Sequence, residues 1–207
     1  MGVKNAEKIK AVIFDWAGVF CSPGELFSHP ALATQTGLNV DEMGEQTASI
    51  QHAYYTGTIN SKEFWEQSSN LLGPAGLSET ELRDAYLASY RIYPEMLGLA
   101  LNLKQKYKTL LLSNLTAEMT EDIKKKYGVK KYFHHAIFSN EVGLMKPDPK
   151  IFELAVEKIN IPIKNIVFID DSQTNIKVAE HLGFHIILFK NPTQCRQELR
   201  DLGVTII

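Results

Sequence analysis

Three carboxylates, one hydroxyl and one ammonium stand at positions from which they could meet: Asp15, Asp170, Asp171, Ser113 and Lys146. Asp15 closes the apolar run AVIF, Ser113 closes TLLL, and Asp170 with Asp171 closes IVFI; Lys146 sits in a Gly and Pro loop after a further apolar stretch. Acids gathered into one cleft repel one another, so a divalent, oxygen-binding cation is their natural compensation. Mg²⁺ suits a few carboxylates, waters and a substrate phosphate. Taken singly, each residue has a plainer explanation: an Asp after a strand is often a turn or cap, a Ser-Asn pair a helix cap, and a loop lysine solvated. Their order along the chain is what argues for a common site.

The elements that would position them follow from the pattern. Val12 to Phe14 reads as a strand buried on both faces, because β-branched and aromatic residues run without polar alternation. Thr109 to Leu112, Ala136 to Ser139, Ile166 to Ile169 and His185 to Phe189 read as four more. Helices are expected between them: from Pro94 through about Tyr107 with Leu97, Leu101 and Lys104 on successive turns, from Ala117 to Tyr127, over PKIFELAVEKI, and from Ser172 to Gly183. Strands alternating with helices predict a Rossmann-like parallel sheet with helices on both faces, and such sheets bind ligands outside the carboxyl ends of their strands.

Residues 22–93 follow a different rule. Asn39, Asn60 and Ser78 each precede a glutamate by three residues, a capping-box signature, and Gly37, Gly57 and Gly73 mark helix ends. No strand is expected there, so this stretch reads as a small helical bundle inserted into a core made of residues 1–21 and 94–207. Its aromatics (Phe27, Tyr54, Tyr55, Phe64, Trp65, Tyr86, Tyr90) are expected mainly in the bundle core, with a minority facing a ligand. His29, His52, Tyr54, Trp65 and Arg91 are candidate contacts to an organic group, but each is expected at the surface or in packing sooner than facing a ligand. Residues 1–10 are polar and are expected to fray or to cover an edge.

Over 207 residues, 44% are hydrophobic and 22% charged, the balance of an ordinary globular chain, and the net charge of -2 argues against a nucleic-acid partner. Lys124, Lys125 and Lys126 read as a solvated helix end, with Lys130 and Lys131 completing the basic cluster. Two cysteines, Cys21 and Cys195, make no disulfide framework. With no signal-peptide pattern and no apolar run of membrane-spanning length, a cytoplasmic chain, monomer or homodimer, is expected.

The order FDWAGV, LLLSN, KPDPKIF and FIDDSQTNI resembles the four motifs of the haloacid dehalogenase superfamily, and the helical insert resembles that superfamily's cap. The stretch Tyr55 to Phe64 and the last motif resemble the branch of sugar-phosphate phosphatases and epoxide-hydrolase N-terminal domains. The resemblance implies an Mg²⁺-dependent hydrolase of small phosphorylated metabolites. Asp15 would be the nucleophile that forms an aspartyl-phosphate, and Ser113 and Lys146 would be catalytic groups. Trp16, Ala17, Gly18, Ser113, Asn114 and Lys146 would surround the phosphoryl group. Asp15, the Ala17 carbonyl, Asp170 and Asp171 would hold the metal.

One position departs from the family. Ala17 stands where most phosphatases of the superfamily carry a second aspartate that protonates the leaving oxygen and then activates water, a role worth about 10²–10⁴-fold in rate. Three readings follow. The chain is a phosphatase with an impaired or substituted acid/base group. Alternatively, Asp15-Trp16-Ala17-Gly18 resembles the first motif of phosphonoacetaldehyde hydrolase, which needs a cap lysine, and Lys62 is the one lysine between Ser22 and Tyr93. Or the chain binds a phosphorylated ligand or a partner with little or no turnover.

Overall fold

The computed structural model describes residues 8–24, 26–73 and 76–206. Strand β1 (Ala11–Phe14) is followed by five helices: α1 (Pro30–Thr36), α2 (Val40–Gln46), α3 (Ala48–Tyr55), α4 (Ser61–Leu72) and α5 (Glu79–Ala88). Thereafter come α6 (Pro94–Leu103), β2 (Lys108–Ser113), α7 (Ala117–Tyr127), α8 (Val129–Tyr132), β3 (His135–Phe138), α9 (Ser139–Val142), α10 (Pro149–Ile159), β4 (Ile166–Asp170), α11 (Gln173–Leu182), β5 (His185–Leu188) and α12 (Pro192–Asp201). The five strands form one parallel sheet in the order β3-β2-β1-β4-β5. This is the expected α/β core, with β1 at its centre.

Because side chains alternate along a strand, each strand serves two apolar layers. Ile13, Leu110, Leu112 and Phe168 face α10 and α11 through Ile151, Phe152, Ala155 and Ile176. Val12, Phe14, Leu111 and Ile169 face the other way, into a cluster that continues through Phe20 and Phe133 to Met43, Tyr54 and Phe64 of the inserted helices. The apolar interior is therefore continuous from sheet to inserted helices.

Local chemistry explains the helix ends. Asn39, Asn60 and Ser78 each accept the backbone N–H three residues on, while Glu42, Glu63 and Glu81 reach back to the cap N–H. The basic residues of α7 occupy its last turn, where they complement the helix dipole. One helix differs from expectation. α6 ends at Leu103, and its inward face is Met96, Leu99, Ala100 and Leu103, whereas Leu101 is 39% exposed. Apolar residues ring this helix, so spacing alone could not choose which stripe met the sheet. Likewise β3 spans His135–Phe138, and Ser139 opens α9. Of the polar leader, residues 1–7 lie outside the described residues; Ile9 is buried and the Lys10 N–H donates to Asn165 O.

The inserted helices are joined to the core by two crossing segments and two close contacts. Cys21 bridges Ile92 in antiparallel fashion, the Ser22 N–H donates to Arg91 O at 2.8 Å, and the Tyr93 N–H to Phe20 O at 2.7 Å. The Tyr54 hydroxyl donates to Glu118 of α7. Gly57, at φ +70°, brings the turn after α3 against α9, where a Cβ would fall 2.3 Å from Asn140 O. Gly37 has nearly the same φ, +69°, with open space around it. Alanine at either position incurs left-handed strain of about 1–2 kcal/mol. Gly57→Ala is expected to lower the thermal midpoint clearly further than Gly37→Ala, the excess measuring the contact between inserted helices and core; equal shifts in thermal unfolding would refute it.

Candidate active site

Parallel pairing gathers the polar strand ends. Phe14 pairs with Leu111 on one side and Ile169 on the other, so the chain leaves β1 at Asp15 beside the end of β4, and Ser113 closes β2 on the opposite flank. The Asp15 N–H donates to Ile169 O at 2.9 Å, fixing that exit.

At the centre lies Lys146, 2% exposed. Its Nζ is 2.9 Å from Asp15 Oδ1 and 2.6 Å from Asp170 Oδ2. Ser113 Oγ donates to Asp15 Oδ1 at 2.6 Å and faces the Trp16 N–H at 3.4 Å. Asn114 sets the lysine loop: its Nδ2 donates to Lys146 O, and its Oδ1 accepts the Lys146 N–H, both at 2.8 Å. Asp170 is fully buried and committed to protein donors, the Ser172 N–H at 2.8 Å and Asn175 Nδ2 at 3.1 Å besides the lysine. Asp171 instead faces the cavity. Its carboxylate lies on the backbone of Gly18, whose φ is +79°, where any Cβ would fall 2.0 Å from Asp171 Oδ2. Only glycine leaves that space free.

Oxygen atoms of Asp15, Asp170 and Asp171 all lie within 4.8 Å of one another. Three carboxylates facing one ammonium leave uncompensated negative charge in a largely dry cleft. Burial pushes the Asp15 carboxyl up to about 7, with Asp170 adding to the rise and Lys146 and Ser113 opposing it. For Lys146, burial pulls downward, but the attraction of Asp15 and Asp170 outweighs it and holds the ammonium charged. A hard divalent cation fits this donor set, which is all oxygen and carries surplus charge.

A cavity of about 240 Å³ opens here, lined by Asp15, Ala17, Tyr55, Tyr90, Asn114 and Asp171 among others. Beyond it a groove of about 820 Å³ runs between α2 and α3, sharing Gly24, Tyr55 and Met145 with the inner cavity. Trp16 reaches the site through its backbone alone, since its indole is buried and stacked on Phe20. Of the five candidate contacts, each expected at the surface or in packing sooner than at a ligand, His52 lines the groove. Tyr54 and Trp65 are buried in the core, His29 caps α1, and the Arg91 N–H is bonded to Ser22. Lys62 is exposed on the first turn of α4 and lines neither cavity. Cys21 is buried, its thiol pushed up to about 12 by desolvation, hence unreactive. Sequence reasoning did not single out Asn175, Met145 or Gly24. The signal for Asn175 was its place four residues after Asp171, in the first turn of α11.

The two adjacent aspartates should separate by experiment. Removing one partner of a buried ion pair costs roughly 3–5 kcal/mol, so Asp170→Ala is expected to lose about that much in denaturant unfolding. Asp171→Ala is expected to stay within about 1 kcal/mol of the parent. Similar losses for both would contradict the division of roles.

Similarity to known proteins extends over most of the chain. The D-ribitol-5-phosphate phosphatase of Bacteroides thetaiotaomicron is 27% identical over 203 residues, which cover 92% of this chain and 97% of that protein. Pig bifunctional epoxide hydrolase 2 is 27% identical over 221 residues, but the chain, 96% of which is covered, spans only 40% of its length. Among solved structures, a HAD family enzyme from Bacteroides thetaiotaomicron in complex with magnesium and inorganic phosphate superposes with a TM-score of 0.75 at 28% identity, covering 88% of this chain and 94% of that one. The family model described as haloacid dehalogenase-like hydrolase matches residues 9–183, and the chain belongs to that family of hydrolases.

Proposed function

We propose that the protein is an Mg²⁺-dependent phosphatase that acts on a small phosphorylated metabolite, such as a sugar phosphate, through an aspartyl-phosphate on Asp15. The observation that carries this reading is the buried Lys146, 2.9 Å from Asp15 and held by Asp170 on its other side. A lysine so placed neutralises the charge that builds as a carboxylate approaches a phosphate dianion. Ser113 Oγ, now donating to Asp15, is within reach of a phosphoryl oxygen bound beside it. Asp15, Asp171 and the Ala17 carbonyl would hold Mg²⁺, which when bound supplies charge compensation for the phosphoryl oxygens. Asp170 serves this site by fixing Lys146. The carboxylates Asp41 and Glu45 on the outer groove disfavour a second anionic group, so the organic part is a neutral polyol in preference to a bisphosphate or phosphoacid.

In this reading residues 22–93 act as a cap over the core of residues 1–21 and 94–207, turning at the Ser22 and Tyr93 crossings. Solvent-exposed Lys62 gives no support to Schiff-base chemistry. The two free thiols, both buried, suit a reducing cytoplasm.

Phosphate release should be measured with Mg²⁺ on sugar, aryl and acyl phosphates and on phosphonoacetaldehyde, with Asp15→Asn as the blank. Turnover of phosphate esters, absent in the blank and after chelation, is expected, and it should rise as the leaving group becomes more acidic because Ala17 supplies no proton. Release that survives Asp15→Asn, or none from any substrate, would refute the phosphatase reading. Cation binding carries a pH signature as well. Only ionised Asp15 binds the metal, and with its carboxyl at about 7 the ionised fraction falls about tenfold between pH 8 and pH 6. Apparent Mg²⁺ affinity by calorimetry should fall by about that factor, with protons released on binding; a flat profile would show that Asp15 is ionised throughout.

A further inference from the structure

A separate cavity of about 720 Å³ lies at the outer edge of the sheet, beside β3. It shares no lining residue with the inner cavity or the outer groove of the active site. Val129, Phe133, Ala136 and Phe138 give it an apolar floor. Lys124, Lys130, Lys131 and Lys158 stand around that floor, and Glu141 is the one carboxylate among the described residues that line it. Glu141 is already paired with Lys124, whose ammonium also lies 5.4 Å from the centroid of the Phe138 ring. No described carboxylate pairs with Lys130, Lys131 or Lys158.

Each of these lysines occupies the last turn of its helix, where the dipole favours a cation. What the fold adds is that three such ends, of α7, α8 and α10, open on one apolar trough. Positive charge therefore gathers here although the whole chain carries a net charge of -2. The imidazoles beside it respond to that charge. His134 and His135 are held below the usual range by partial burial and then by nearby cations, Lys108 and Lys104 for the one, Lys108 and Lys158 for the other. The volume is that of small-molecule clefts, which hold roughly 300–1,000 Å³. A strand added from a partner protein fits the place less well, because β3 has four residues and Ile137 is only 2% exposed, leaving little edge open to pairing.

We propose that this trough binds a small amphipathic anion, its aromatic or branched apolar body lying on Val129, Phe133 and Ala136 and its phosphate, sulfonate or carboxylate met by Lys130, Lys131 and Lys158. The body gains by leaving water, and the anionic end gains charge-assisted hydrogen bonds from ammoniums that have no carboxylate of their own. The site stands whether or not Asp15 is a nucleophile, since the two have no residue in common.

The probe is anilinonaphthalene sulfonate, an aryl anion that fluoresces in apolar surroundings, titrated into the full chain. Joint Lys130→Glu and Lys158→Glu substitution is expected to weaken its binding at least about tenfold, the worth of one charge-assisted hydrogen bond, whereas Lys130→Arg with Lys158→Arg retains it. Phenylnaphthylamine, the same body without the sulfonate, should bind at least about tenfold less tightly than the anion. Amide chemical shifts locate the probe: Gly128 and Ala136 should move on saturation, while Gly44 and Ala48 of the outer groove should not. Thermal midpoints should match the parent, and Lys158→Ala carries the comparison if the charge-reversed protein does not fold. Equal affinity after charge reversal, equal binding of the neutral body, or shifts confined to the outer groove would overturn the proposal. Sedimentation with phosphatidylserine vesicles, lost on charge reversal, would assign the trough to a membrane surface and overturn it too.

Discussion

The structure turns on one buried ammonium. Lys146 is almost sealed from solvent and would be costly there without partners, because an unpaired buried charge costs several kcal/mol. Asp15 and Asp170 make the burial tolerable, and the elements that carry these three groups are thereby tied together: β1, β4 and the loop before α10. The remaining bonds of the site serve this pair of contacts. Asn114 grips the lysine backbone from the end of β2, while Ser172 and Asn175 saturate the second carboxylate from the start of α11.

Charge arithmetic explains why such a site is unfinished by itself. One ammonium balances one carboxylate, and burial, with the charge of Asp170 adding to it, pushes the Asp15 carboxyl up to about 7. In the proposed reading a cleft of this kind would hold a hard cation, which would supply charge compensation for a phosphoryl group beside the lysine and the serine. Thus the electrostatics that make several ionised acids costly side by side would favour such ligands.

The sheet does the positioning without any local motif doing more than its share. Parallel register sets Asp15, Ser113 and Asp170 on one edge, within hydrogen-bond reach of a common centre. Glycines at the margin permit close approach: Gly18 receives the Asp171 carboxylate, and Gly57 lets the inserted helices touch α9. The inserted helices share their apolar interior with the sheet, so the outer groove is walled partly by each.

What the amino-acid sequence determined by itself was whatever depends on neighbours along the chain. Runs such as VIFD and VFIDD specify buried strands ending on acids, capping boxes specify helix starts, and four short motifs in order specify the family. Tertiary structure alone decided what depends on facing and burial. It chose the inward stripe of α6, since an apolar ring has no preferred side until it meets the sheet. It separated two adjacent aspartates, Asp170 turned inward to Lys146 and Asp171 outward to the cavity, because successive residues past a strand end point to different surroundings. It also sent Tyr54 into the core and Tyr55 to the site, a choice between neighbouring tyrosines that the rotation of α3 makes and no local pattern records.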